Sequence, residues 1–242
     1  MATKCENCPL RKLPYFFDLS DIELKFIDKF KVGELSIAPK TQFLSEGTQS
    51  PNLYTALEGM GLRYKLLPNG RRQVINMVFP GDFIGLQAGL LGEMQHSVEA
   101  TTQMTLCVFE RNELGTFFKQ HPERAFDITW IAAHEEHFLG SALASLGQRD
   151  ARERIAWAIV SLFQRATALE LVEGDRMPFP YRQQDLADAL GLSLVHTNKT
   201  LARLREQQIA SWTDGVLAVH DLGALAQIAM VELEEPEPRP LM

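Results

Sequence analysis

The sequence lacks most of what marks a membrane, secreted or disulfide-built protein. No apolar run approaches the roughly 20 residues that span a bilayer. The opening Met-Ala-Thr-Lys-Cys carries no apolar signal-peptide core. Cysteine is scarce: three residues, an odd count with no framework of pairs, which points to a reducing cytoplasm. Positive charge is in deficit, 24 Lys and Arg against 31 Asp and Glu, so the net charge of −7 argues against indiscriminate nucleic-acid binding. It leaves room for a locally basic patch. Internal repeats are absent, so the chain is not an array of one stacked unit. What remains is 242 residues, 45% hydrophobic, enough for two modest domains that each bury a core.

The most informative stretch runs from Tyr181 to Arg205. Leu186, Ala187 and Leu190 make an apolar stripe at helical spacing. Gly191 stands where a first helix must stop in a left-handed turn. Ser193 follows as an N-cap, its hydroxyl ready to accept from an unpaired backbone N–H. A second helix then buries Thr197, Leu201 and Leu204. This spacing predicts a helix-turn-helix. Leu194, Val195, His196, Asn198, Lys199 and Arg203 fall off the buried stripe, and such side chains read base edges, phosphates or thymine methyls. Arg182, Gln183 and Gln184 open the first helix and are candidates for phosphate contact, with Ser193 beside them. Ile209–Trp212 and Val216–Val219 flank Thr213-Asp-Gly215, a hairpin signal. A helix-turn-helix followed by a hairpin predicts a winged helix. A helical hairpin with an ordinary polar face is the plainer alternative.

The preceding chain divides by texture. Residues 1–18 form an arm containing Cys5-Glu-Asn-Cys8, half of a metal or cluster site. Ser20 and Glu23 make a capping box for an amphipathic helix carrying Leu24, Ile27 and Phe30. Between residues 32 and 111, short apolar runs alternate with Gly and Pro. They predict a sandwich, barrel or jelly roll. Pro122 opens a long helix in which Ile128, Ala132, Glu135, Leu139, Ala142 and Leu146 recur by fours and threes, the seam of a coiled coil. Trp130 and Phe138 lie off that seam, placed to pack on the β-domain. Gly147–Asp150 reads as a hinge, and 151–168 as a further amphipathic helix. Asp221 caps a last helix. Residues 232–242, rich in Glu and Pro, read as a disordered tail. His134-Glu-Glu-His137 lacks the i, i+4 spacing of a zinc helix and reads as a solvated face.

This order of parts resembles the Crp/Fnr family of bacterial transcription regulators, on its Fnr/FixK-like side. The residues that carry the likeness are Gly81-Asp-Phe-Ile-Gly85 and Leu186-Ala-Asp-Ala-Leu-Gly-Leu-Ser193. The resemblance implies an α+β chain, with a β-roll sensor domain of cyclic-nucleotide-binding type over 19–121. A dimerisation helix over 122–147 and a winged helix-turn-helix over 148–231 follow. It implies a homodimer that binds a palindromic operator, acts with RNA polymerase and is not an enzyme. The effector pocket would be Gly85, Leu86, Gln87, His96 and Ser97. Where the cyclic-AMP-binding branch has Glu and Arg, this sequence has Leu86 and His96, and imidazole cannot clamp a phosphate as Arg does, which argues against cyclic AMP. In the reading head, Leu194 and Val195 replace that branch's Arg–Glu pair, so its operator is not implied.

Cys5, Cys8 and Cys107 resemble ligands of the family's oxygen-sensing, iron–sulfur branch. Leu13-Pro14 stands where a third arm cysteine would come, so a [4Fe–4S] cluster would need another ligand such as Asp18. Redox-active thiols, or simple packing of Cys107, are the alternatives, as is a regulator that needs no ligand. Two rival functions stand beside the regulator: a dithiol redox enzyme using Cys-x-x-Cys, and a scaffold whose winged helix binds protein.

Overall fold

The computed structural model describes residues 2–242; Met1, the first residue of the expected arm, lies outside the described residues. The chain forms two compact units, residues 1–136 with 238–242, and residues 137–237.

The first unit is the predicted roll. Helix α1 (Asp21–Phe30) starts at the capping box: the Ser20 side chain accepts from Glu23 N, and Glu23 returns a bond to the Ser20 backbone. Eight strands follow: β1 (Lys31–Ile37), β2 (Gln42–Leu44), β3 (Asn52–Glu58), β4 (Gly61–Leu66), β5 (Arg72–Val78), β6 (Phe83–Ile84), β7 (Ser97–Ala100) and β8 (Met104–Glu110). They form two antiparallel sheets, ordered β1-β8-β3-β6 and β2-β7-β4-β5. Short helix α2 (Leu86–Leu91) sits between β6 and β7, and α3 (Leu114–Gln120) follows β8. Alternation along β8 places Met104 and Leu106 in the core between the sheets, with Ile37, Tyr54, Val78 and Val98. Cys107 and Phe109 point to the opposite face, and both are buried. That outer face is therefore covered. Phe109 packs on Phe30 of α1 at 5.1 Å, and Cys107 shares a cavity with arm residues Cys5 and Leu10.

The long helix α4 (Pro122–Gln148) corrects the expected seam. In its first part Ile128 and Ile131 are buried within the roll unit, and buried Arg124 holds Glu23 of α1 at 2.6 Å. Glu135 does not face outward either. Its carboxylate accepts from Arg63 of β4 at 2.7 Å and from Asn76 of β5 at 2.6 Å. What α4 leaves exposed is Phe126 at 70%, Leu139 at 46% and Leu143 at 71%, with Ala132 also exposed and Ala142 and Leu146 half-buried. Trp130 stacks on His134 of its own helix. Phe138, expected against the roll, instead stacks on Trp157 at 6.1 Å.

In the second unit α5 (Ala151–Ala168) has the predicted bounds and begins at a capping box of Asp150 and Glu153. The expected hinge at 147–150 lies inside this unit, where Arg149 donates to the Ala229 carbonyl at 2.9 Å. The boundary between the units falls within α4, between Glu136 and His137. Strand β9 (Arg176–Pro178), α6 (Gln183–Leu190), α7 (Leu194–Glu206), β10 (Ala210–Thr213), β11 (Val216–Val219) and α8 (Leu222–Ala229) complete it. Asp221 caps α8 through Ala224 N at 2.8 Å.

The tail departs from the disorder expected of its composition. Residues 232–237 are exposed, but Arg239, Pro240, Leu241 and Met242 are buried in the roll unit. Composition reports mean solubility; four residues with apolar and ionic partners are enough to override it locally.

Candidate functional site

The reading head forms for the reasons visible in its sequence. Leu186, Ala187 and Leu190 of α6 are buried, as are Thr197, Thr200, Leu201 and Leu204 of α7. Gly191 takes φ +63°, the left-handed region, and its N–H bonds back to the Ala187 carbonyl. Ser193 caps α7 by accepting from His196 N at 3.2 Å. Cap and buried stripe together fix which side of α7 faces out: Val195 is 79% exposed, and His196, Asn198, Lys199 and Arg203 are exposed beside it.

The start of α6 differs from the simple phosphate-contact picture. Arg182 binds Asp185 through Nη2 at 2.7 Å and Nε at 3.1 Å, and the Arg182 backbone N–H donates to the same carboxylate. Asp185 is buried. The pair therefore fixes the entry to α6, and part of the Arg182 charge is spent inside the protein. Asp185 escaped the sequence reading, although an acid three residues after a helix entry was the available signal. Gln184 is exposed, its amide on Asp188 at 2.6 Å, and Gln183 is half-buried.

The wing is the predicted hairpin. Thr213 pairs with Val216 across Asp214 and Gly215, both at positive φ. Strand β9 joins as a third strand on β11. Phe179 packs edge-on against Trp212 of β10 at 4.7 Å and Tyr181 at 5.0 Å, fastening the sheet to the approach to α6. A second brace runs from Ser211 through His220, 3.1 Å away, to Asp175 at 2.6 Å. Its order is that of a hydrolase triad. Its members stand on β10, just after β11 and just before β9, so it ties the three strand ends together.

In the roll, the expected effector residues lie in the α2–β7 segment. Gly85 is the left-handed residue before α2, Leu86 its first residue, and Gln87 accepts from Gln95 N at 3.3 Å. Ser97 is buried and accepts from Glu46 N at 3.0 Å. His96 is buried, and desolvation, reinforced by Arg63 and Lys65, pushes its pKa down to about 4. It is thus neutral near pH 7. Arg63, which sequence reading missed, is the buried cation of this region. It is occupied by Glu135 and by the Phe83 carbonyl at 3.1 Å.

Cys5, Cys8 and Cys107 do converge, lining one small cavity that is partly open to solvent. Asp18 does not line it. Here burial, then a hydrogen bond to Asp28, pushes the Cys5 thiol up to about 12, and burial raises Cys107 against the opposing pull of Lys31. Among the described residues no three His, Cys, Asp or Glu side chains are grouped to hold a metal ion. Leu241 and Met242 fill part of the same space. The lining supplies three thiols and no fourth Cys, His or carboxylate side chain, so as arranged it does not fit a [4Fe–4S] cluster, which takes four ligands.

Known proteins share both halves of this design. Residues 34–121 match the cyclic nucleotide-binding domain, and residues 153–228 the Crp-like helix-turn-helix domain. The transcriptional activatory protein AadR of Rhodopseudomonas palustris is 30% identical over 88% of each chain. The chain belongs to the Crp/Fnr family. It is a DNA-binding transcription regulator with a roll-type sensor domain. The nitrogen fixation regulation protein FixK of Bradyrhizobium diazoefficiens is 29% identical over 93% of each chain. The solved structure of FixK2 from Bradyrhizobium japonicum covers 83% of this chain and 98% of its own, with a TM-score of 0.74 at 23% identity, a likeness of fold. Among the described residues no helix is long and apolar enough to cross a membrane.

Proposed function

We propose that this Crp/Fnr regulator acts as a homodimer on a palindromic operator, with one α7 helix in each of two successive major grooves. The observation that carries the reading is the outward face of α7. Val195, His196, Asn198, Lys199 and Arg203 project together from a helix whose opposite side is locked by buried Leu201 and Leu204. Lys199, Arg203 and Asn198 are assigned to base or phosphate contact, with Val195 and His196 flanking. Gln183, Gln184 and Ser193 set register on the backbone, and Arg182 contributes mainly by holding Asp185.

Pairing of two copies is assigned to the exposed apolar side chains Leu139 and Leu143 of α4, together with Ala132, Ala142 and Leu146. Ile128 and Glu135 are not part of that surface. Ile128 is buried, and Glu135 is bonded to Arg63 and Asn76 of the roll, so Glu135 couples strand movement to the helix. An effector acting at Gly85–Gln87, His96 and Ser97 would be read by Arg63, which touches both the Phe83 carbonyl and Glu135. Leu86 and neutral His96 offer no phosphate clamp, so cyclic AMP is not that effector. The regulator works in the cytoplasm with RNA polymerase, and catalysis has no part in it.

A fluorescence-anisotropy titration against a library-selected operator, run beside light scattering for mass, tests this reading. A dimer whose affinity falls on Lys199→Ala and Arg203→Ala supports it. A monomer, or unchanged affinity and operator preference in both variants, overturns it.

A further inference from the structure

The cavity that holds the three cysteines has a second set of walls, and those come from the far end of the sequence. Residues 232–237, with four glutamates and a proline, are exposed. Residues 239–242 then become buried against the roll. The change is abrupt, and each residue meets a partner suited to it. Arg239 exchanges backbone bonds with the arm, donating to the Tyr15 carbonyl at 2.9 Å and accepting from Phe17 N at 2.9 Å. Its guanidinium lies 3.5 Å from the Asp82 carboxylate, and both side chains are 7% exposed. The Met242 carbonyl accepts from the hydroxyl of Thr55 on β3. Leu241 and Met242 line the cavity together with Leu57, Phe109 and Cys107.

The site is also built around its own arm. Phe16 pairs with Arg239 in a parallel bridge, and its ring covers Gly81 so closely that a Cβ there would fall 2.4 Å from Cζ. Gly81 and Asp82 belong to the Gly-Asp-Phe-Ile-Gly turn of the sensor domain. An arm residue, a turn of the roll and the outer face of the β3–β8 pair thus make one groove with an anionic end and an apolar end.

We infer that this groove is a peptide-binding site for an Arg-Pro-Leu-Met sequence, that its resident ligand is the chain's own residues 239–242, and that its occupancy controls access to Cys107. The chemistry is that of a docked peptide rather than of a core strand: one ion pair, two backbone bonds, one hydroxyl bond and two apolar side chains, at the end of an exposed acidic segment. Such a contact opens by itself, on a scale well below global unfolding. When it is seated, Leu241 and Met242 cover the thiols. When it leaves, an apolar well with Cys107 in its wall faces solvent.

The test is thiol protection, read by alkylation with N-ethylmaleimide at pH 8 and mass spectrometry of each cysteine. It compares the full chain, the chain ending at residue 237, Arg239→Ala and Leu241→Ala. Shortening the chain should raise the Cys107 rate at least ten-fold, and each point variant should raise it by a smaller factor. A synthetic peptide of residues 232–242, added to the shortened protein, should bind and restore slow alkylation; it should not bind the intact chain. A Cys107 rate that is unchanged in the shortened protein, with thermal unfolding still cooperative, overturns the proposal. So does a peptide that gives no protection. If the shortened chain does not fold, Cys107 rates in both point variants equal to that of the full chain have the same force.

Discussion

Arg63 of β4 and Glu135 of α4 meet at 2.7 Å, side chains 9% and 34% exposed, and Asn76 of β5 donates to the same carboxylate at 2.6 Å. The strand that borders the expected effector segment therefore grips the long helix directly.

Removing Glu135 would leave the buried Arg63 guanidinium without its counter-charge. Loss of one partner from a fully buried pair costs roughly 3–5 kcal/mol. Because Glu135 is one-third exposed, Glu135→Ala should cost less, about 2 kcal/mol. Replacing both residues together, as Arg63→Met with Glu135→Leu, should recover much of that loss. Urea unfolding of the three variants checks this, and equal destabilisation by the single and double changes would refute it.

His96 gives stability a pH dependence with a definite sign. Its pKa falls from 6.5 to about 4 on folding, so between those values the unfolded chain binds the extra proton. Stability should be at full value above pH 6.5, fall as the pH drops toward 4, and then level off, a loss on the order of 3 kcal/mol. His96→Gln should flatten that window. Urea midpoints at pH 7, 6 and 5 for both proteins decide it.

DNA contacts should separate by type. If Arg203 meets a phosphate, Arg203→Ala weakens all sequences alike and lowers the slope of log affinity against log salt by about 0.9. If Lys199 or Asn198 reads a base, its Ala variant loses about 1–3 kcal/mol at one operator position and leaves other positions unchanged. Anisotropy titrations over a salt series, on the operator and its single-base variants, distinguish these outcomes.

The turn between α6 and α7 should be sensitive to backbone more than to space. A Cβ at Gly191 would meet only Leu146 Cδ2, at 3.8 Å, yet the φ of +63° costs an L-residue roughly 1–2 kcal/mol. Gly191→Ala should destabilise by that amount, and Ser193→Ala by about 1 kcal/mol through loss of the cap. Thermal melts give both values. A Gly191→Ala melt like that of the parent would show the strain is absent.

Where a feature depends on local spacing, the sequence announced it. Gly191, Ser193 and the Leu186–Leu190 stripe specify the helix-turn-helix because the turn, the cap and the buried face are all decided within a dozen residues. The bounds of α5 and the Asp214-Gly215 hairpin were legible for the same reason. The face of α4 was not. Periodicity tells that a helix has an apolar side, but Ile128 is buried and Glu135 is bonded to the roll, and only the positions of Arg63 and Asn76 reveal the latter. The pairing of Asp82 with Arg239 spans 157 positions and left no local trace. Composition pointed the other way there, since a proline- and glutamate-rich stretch leads into the four residues that dock.

The division of the chain has a topological result. The sensor unit owns residues on both sides of the DNA-binding unit, up to 136 and again from 238, so the reading head is an insertion within the domain that instructs it. Closing such a loop has an entropic penalty that grows only slowly with its length. A single backbone nick inside the insert would leave two fragments that each still own a piece of both units, so the protein should stay in one piece on a sizing column.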